Sequence, residues 1–277
     1  MILLLRTAGG LGNQLFQSHY ATLLHQRLAV HTVYHFHSTQ YARVAPWELG
    51  PMPWLPATLL VRWVLSLRIP QVLFRLGLRH REYIRIGPWI VADGYFMDAF
   101  QYEDFQEPQI QAGLDQIRTR IGIPKDLIRQ GSLLHLRLGD FFDQEIDQQK
   151  FLEAALSTSM VKRLLVDPVN GSSPEDVMTN DEPAVLQMME NLGTSSAFRL
   201  VQTHGLAAPI LLKKVAAYAR IRYNGSTLAF WAAVLGGADL IWHDVMPPNH
   251  YVTRNCRQLE ALAPCFGLSF SLIHARD

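Results

Sequence analysis

The apolar positions of this chain alternate between two periods. Residues 2–5 (Ile-Leu-Leu-Leu) form a short apolar run ahead of Gly9-Gly10, as in a strand buried on both faces. Over 13–28 the spacing turns helical, and Leu15, Phe16, Tyr20, Leu23, Leu24 and Leu28 share one face. Residues 30–36 read as the next strand, so the chain opens β-turn-α-β. Residues 59–81 predict two short helices broken at Pro70, and 89–92 a further strand. A helical stretch over 110–120 ends at Ile121-Gly122-Ile123-Pro124, where a domain boundary is expected.

A second α/β set follows. Residues 132–136, 177–179, 221–223 and 240–242 read as strands. Pro183 starts a helix lined by Leu186, Met189 and Leu192, with Asn180 or Asp181 as its cap. Residues 228–235 form a helix stopped by Gly236-Gly237. The expectation is an α/β protein of two doubly wound units, 1–124 and 125–277, facing a cleft.

Composition narrows the class. With 277 residues, 49% hydrophobic and 18% charged, the chain is globular, and disordered and fibrous classes are excluded. Its formal net charge of +1 exerts no global pull on nucleic acid, and no groove-like alternation of basic and aromatic residues occurs. No run of about 18 uncharged apolar residues is present, so no transmembrane helix is expected. Cys256 and Cys265 are expected as free thiols in a reducing, cytoplasmic compartment.

Two motifs sit where chemistry is expected. Gly9-Gly10-Leu11-Gly12-Asn13-Gln14-Leu15-Phe16-Gln17 is a strand-to-helix turn. Its glycines let the backbone approach a ligand, or else simply pack helix on strand. A dinucleotide fingerprint does not fit, because Leu15 replaces the third glycine and no acid precedes Glu48. His135-Leu136-Arg137-Leu138-Gly139-Asp140 places Arg137 and Asp140 at the carboxyl end of a strand. There Arg137 can fork onto a diphosphate or pair with Asp140. No Asp-x-Asp pair for a divalent ion occurs. His31, His35 and His37 share a strand face, but His31 and His35 are about 13 Å apart at strand rise, too far for one ion.

Together the glycine string and the His-x-Arg-x-Gly-Asp string resemble the α-1,2-fucosyltransferase family. Asp93-Gly94-Tyr95-Phe96-Met97-Asp98, Thr179-Asn180-Asp181 and the Asn224 to Trp231 turn are similar to weaker family segments in the same order. The resemblance implies a GT-B fold, with acceptor on the first unit and GDP-sugar on the second. It further implies that Arg137 binds the diphosphate and that His135 lies against the nucleoside. Asp181 would accept from guanine or ribose, and Ser226 and Thr227 would donate to phosphate. Gly10 and Gly12 would shape the first turn, and Asn13 would face the reacting sugar. The reaction would be inverting transfer of fucose to a glycan hydroxyl, O2 of a galactoside, without a metal and with Asp140 or Asp98 as base. Leu138 stands where the family has a second Arg, and Met97 where it has Gln, which bears on the acceptor. The rival readings are a transferase using another nucleotide sugar and a non-catalytic nucleotide- or glycan-binding module.

One stretch stands apart. Between Glu48 and Glu82 there is no acid, while Arg62, Arg68, Arg75, Arg79 and Arg81 are interleaved with apolar residues. Residues 59–81 therefore suit either a core-packing hairpin with a solvated basic face or a peripheral contact with an anionic membrane.

Overall fold

The computed structural model describes residues 1–7, 9–28, 30, 32–37, 64, 67–77, 81–129, 131–136, 164–165, 174–179, 182–244 and 251–274. The chain divides into two compact units, Met1–Arg120 and Ile121–Asp277.

In the first unit β1 (Ile2–Thr7) is central, parallel to β2 (Thr32–His37) on one side and to β4 (Trp89–Asp93) on the other. β3 (Tyr83–Ile86) closes the sheet antiparallel to β4, giving the order β2-β1-β4-β3. The apolar run of β1 is buried on both faces, as a helix-covered strand requires. Leu4 and Val91 meet Val64 together with Ile69 and Leu73 of α2 (Ile69–Arg75). Alternation sends Leu3 and Leu5 to the opposite face. Pro70 sits in the first turn of α2, where a missing N–H costs nothing, and most of the helix expected ahead of it lies outside the described residues.

Helix α1 (Leu11–Arg27) is buried almost all round, so its polar residues are tied down individually. His19 Nε2 lies 3.1 Å from the Ile110 carbonyl oxygen on α3 (Glu107–Ile121). Gly113 of α3 faces this ring, and a Cβ there would come within 2.8 Å of Nε2. Burial brings the His19 pKa down to about 4, making it a neutral core histidine.

The second unit is a six-stranded sheet, all parallel, of order β10-β9-β8-β5-β6-β7. Its strands are β5 (Ser132–Leu136), β6 (Glu175–Thr179), β7 (Phe198–Leu200), β8 (Arg220–Tyr223), β9 (Asp239–Asp244) and β10 (Phe270–His274). Connecting them are α4 (Glu182–Asn191), α5 (Ala208–Ala216), α6 (Thr227–Gly236) and α7 (Tyr251–Leu262). The chain starts at β5, runs outward to β7, then returns to β8 beside β5 and runs outward again. This is the 3-2-1-4-5-6 strand order of a Rossmann sheet, with its direction reversing between β5 and β8.

α4 buries Val185 and Met189, four residues apart, which turns Leu186 out to 44% exposure, so Leu186 does not line the core. α6 ends as expected, with Gly237 in the left-handed region (φ +69°) and its N–H bonded to the Ala233 carbonyl. Arg222 and Glu175, both fully buried, pair at 2.6 Å, with Ser132 Oγ donating to the same carboxylate at 2.9 Å. Cys256 and Cys265 are free thiols, the first buried and the second half-buried.

Candidate functional site

The reversal point of the second sheet gathers one group of candidates. His135 lies on β5 and pairs in register with Tyr223 on β8, near the carboxyl ends of both strands. Beyond Tyr223 the chain passes buried Asn224 and then Gly225, whose φ of +92° demands glycine. Ser226 follows as the N-cap of α6, and Thr227 is the first residue of the helix. Both are buried, Ser226 to 1% exposure.

Ser226 makes no side-chain capping bond, and among the described residues its Oγ has no hydrogen-bond partner. A buried hydroxyl without a partner is costly. Here it sits at the end of a ten-residue helix whose first N–H groups also lack intrahelical acceptors and whose first turn holds no acid. These donors converge where open α/β sheets take ligands, and the combination suits an anion. Asn255 on α7 fixes the turn by donating from Nδ2 to the Gly225 carbonyl at 2.9 Å. Burial drives the Tyr223 phenol well above its ordinary pKa, and the neighbouring Cys256 pushes it the same way.

At the end of β6, Thr203 Oγ1 donates to the Thr179 carbonyl at 2.8 Å. The Glu182 carboxylate accepts from the backbone N–H groups of Thr203 and His204 at 2.7 and 3.1 Å, and these bonds hold its pKa below the usual range. Arg137, Asp140 and Asp181 lie outside the described residues.

The first unit has its own reversal point, between β1 and β4. Gly9 adopts φ +82°, so it is Gly9 that carries the conformational demand of the turn. Gly10 is the N-cap of α1 in extended conformation, with open space where a Cβ would project. Gly12 and Asn13 lie in the first turn of the helix, Gly12 buried and Asn13 half-buried. Gln14 Nε2 donates to the Gly9 carbonyl at 2.9 Å and Gln17 Nε2 to the Gly94 carbonyl at 3.0 Å. The two glutamines of the glycine string are thus struts. One closes the turn, and the other ties it to the segment following β4.

That segment, residues 94–98, is held from several sides. Phe96 is in the left-handed region (φ +53°), a strained conformation for a bulky side chain. Its N–H donates to Glu82 Oε2 at 2.7 Å, Tyr102 donates to its carbonyl at 3.1 Å, and its ring stacks on Tyr20 at 4.4 Å. Tyr95 and Asp98 remain half-exposed. Asp93, just before, is buried with Arg68 at 3.4 Å and Arg6 at 3.8 Å, and burial still raises its pKa.

The expected site residues therefore fall into two groups. Gly10, Gly12, Asn13 and Asp98 belong to the first unit, and His135, Ser226 and Thr227 to the second. Glu82, Gln101, Glu182, Thr203 and Asn255 were not anticipated. Only Glu82 left a trace in the sequence, as the acid that ends the acid-free run. Among the described residues no group of three or more His, Cys, Asp or Glu is placed to hold a metal ion.

No family model and no curated protein matches the chain. Solved structures that match include the alpha-1,6-fucosyltransferase NodZ soaked with GDP-fucose, at 16% identity over 90% of this chain and 97% of that one, TM-score 0.48. Fucosyltransferase NodZ from Bradyrhizobium matches at 15% identity over 84% and 92%, TM-score 0.47. The E. coli heptosyltransferase WaaC with ADP matches at 11% identity over 100% and 91%, TM-score 0.41. At such identities and scores, no substrate or linkage passes from those proteins to this one. Two Rossmann-like units in one chain are the make-up of a GT-B fold, the class expected from the sequence.

Proposed function

We propose that this chain is an inverting glycosyltransferase that moves fucose from GDP-fucose to a glycan hydroxyl, with O2 of a galactoside as the acceptor atom. The observation that carries the reading is Ser226. It is a buried hydroxyl without a partner among the described residues, at the start of α6 and at the reversal point of a Rossmann sheet. A diphosphate would satisfy that hydroxyl and the free N–H groups together.

In this reading the second unit holds the donor. Arg137 forks onto the diphosphate, His135 lies against the nucleoside, Asp181 accepts from guanine or ribose, and Ser226 and Thr227 donate to phosphate. The first unit presents the acceptor near Asn13 and the 94–98 segment. The acceptor oxygen forms a bond to C1 of the sugar as the bond from C1 to the β-phosphate oxygen breaks. GDP leaves, and the acceptor proton passes to Asp98 or Asp140. Leaving-group charge falls on Arg137 and the helix N–H groups, so no metal is assigned a role.

The specific test is titration of GDP, ADP and UDP against the wild type and Ser226→Ala. The reading expects GDP to bind tightest and to lose affinity in the variant. Equal, Ser226-independent binding of all three would sink it. The rival donor reading predicts transfer from another nucleotide sugar, and linkage analysis of the product decides the acceptor position.

A peripheral membrane contact belongs to the proposal in reduced form. Arg68 turns inward to Asp93, Arg81 is taken up by Asp104 at the surface, and Phe74 stacks on Phe100. Exposed Leu67, Val72 and Leu76 with exposed Arg75 remain to meet an anionic bilayer, in which case liposome co-sedimentation falls with salt. Among the described residues no helix is long and apolar enough to cross a membrane.

A further inference from the structure

We infer that Glu82 is a positioning residue of the acceptor side, holding the 94–98 segment in its strained shape through Phe96. The inference rests on the reading that the first unit presents the acceptor.

Glu82 precedes β3 and is 5% exposed, and it meets the segment at Phe96 and beside Gly94. Its Oε2 accepts from the Phe96 N–H at 2.7 Å and from Gln101 Nε2 at 3.0 Å. Its backbone carbonyl accepts from the Asp93 N–H at 3.0 Å, so strand pairing and side chain pull on the same loop. Its carboxylate occupies the space beside Gly94, where a Cβ would collide with it. A left-handed Phe costs energy that the surroundings must offset. The offset here is the charge-assisted bond to the Phe96 N–H, the Tyr102 bond to the Phe96 carbonyl and the Tyr20 stack. Gln17, bonded to the Gly94 carbonyl, carries the arrangement to the glycine turn and so to Asn13. Tyr95 and Asp98, half-exposed on either side of strained Phe96, owe their placement to this support.

A buried carboxylate in this role makes acceptor binding sensitive to pH. Burial, the strongest influence, with Asp98 in the segment and Asp93 on β4, pushes Glu82 up to about 7, against the downward pull of the Phe96 N–H and the Gln101 amide. Tyr20 on α1, itself driven above its ordinary pKa by burial, feels the Glu82 charge as well. Ionised Glu82 accepts both N–H groups strongly. Once protonated it binds them more weakly and the segment loosens.

The test compares wild type with Glu82→Gln, which keeps the size and removes the charge. Gln101 can turn its amide to meet the new NH2, because its own Oε1 has no partner among the described residues. In wild type the acceptor KM is expected to rise as pH falls through about 7. In the variant it should be raised about tenfold at pH 8, as for loss of a charge-assisted hydrogen bond, and flat with pH. GDP affinity should stay within about twofold, since it belongs to the other unit. An unchanged acceptor KM and pH profile, or a parallel loss of GDP affinity, would overturn the inference. Should Glu82→Gln fail to fold, Tyr102→Phe removes the bond to the Phe96 carbonyl and keeps the ring. It should raise acceptor KM while leaving the pH inflection in place, and no rise in KM would count against the role. If no acceptor is ever glycosylated, the proposed function fails separately. Amide exchange over residues 95–98 then decides for Glu82, with faster exchange in the variant expected and unchanged exchange contradicting it.

Discussion

Asn255 and Gly225 are joined by a side-chain-to-backbone hydrogen bond of 2.9 Å, from Nδ2 of a helix in the second unit to the carbonyl of the turn that opens α6. Gly225 is left-handed and precedes Ser226, so this bond sets the direction in which the Ser226 hydroxyl and the first N–H groups of the helix point. Asn255→Ala is expected to cost about 1 kcal/mol of stability, the net worth of one hydrogen bond, and to weaken GDP binding several-fold. Asn255→Asp keeps the shape but presents an acceptor to an acceptor, and should be worse than Ala for GDP. Calorimetric titration of GDP with both variants checks the order.

Ser226 separates a ligand role from a folding role. A hydroxyl that capped its own helix would cost about 1 kcal/mol when replaced by Ala. Ser226 makes no such bond and is buried without a partner among the described residues, so Ser226→Ala should leave the unliganded protein as stable as wild type or slightly more so. GDP affinity should fall about tenfold or more, as for loss of a hydrogen bond to a charged group. Thermal unfolding with and without GDP reads both quantities. A destabilised unliganded variant with normal GDP binding would return Ser226 to a capping role.

These residues also show what the chain discloses without its structure. The run Ile2 to Leu5 with Gly9-Gly10, and the run Leu228 to Leu235 with Gly236-Gly237, are local signals, since burial on all sides needs apolar residues and left-handed stops need glycine. The turn before α6 was legible for the same reason. Strand order was not, because the pairing of β5 with β8 joins segments about 90 residues apart and no local pattern encodes it. Nor was the fate of the arginines. Arg68 and Arg81 look like a solvated basic face until Asp93 and Asp104 are brought to them from 25 and 23 residues on. Phe96 is the sharpest case. Its left-handed backbone is imposed by Glu82, Tyr102 and Tyr20, and local propensity argues against it.

Two buried groups of the first unit shape stability against pH in opposite senses. His19 has its folded pKa lowered to about 4 from 6.5, so its contribution is present above 6.5 and is lost as pH falls toward 4. Glu82 has its folded pKa raised to about 7 from 4.5, so its contribution is present below 4.5 and is lost as pH rises toward 7. Replacing Glu82 by Gln removes the second effect alone. The Tm difference, variant minus wild type, should therefore fall as pH is lowered from about 8 to about 5, with a span of at most a few kcal/mol in stability. A difference independent of pH would mean that Glu82 titrates normally in the folded protein.

The most direct measurement is mass analysis of products after incubation with GDP-fucose and an array of galactosides, for wild type and Arg137→Ala. The account predicts one deoxyhexose added to a galactoside and GDP released. It also predicts that kcat/KM is reduced about 100-fold to 1,000-fold in the variant, the cost of losing a main charge stabiliser at the leaving group. GDP-fucose left untouched by the wild type, or turned over as well by Arg137→Ala as by wild type, would contradict it.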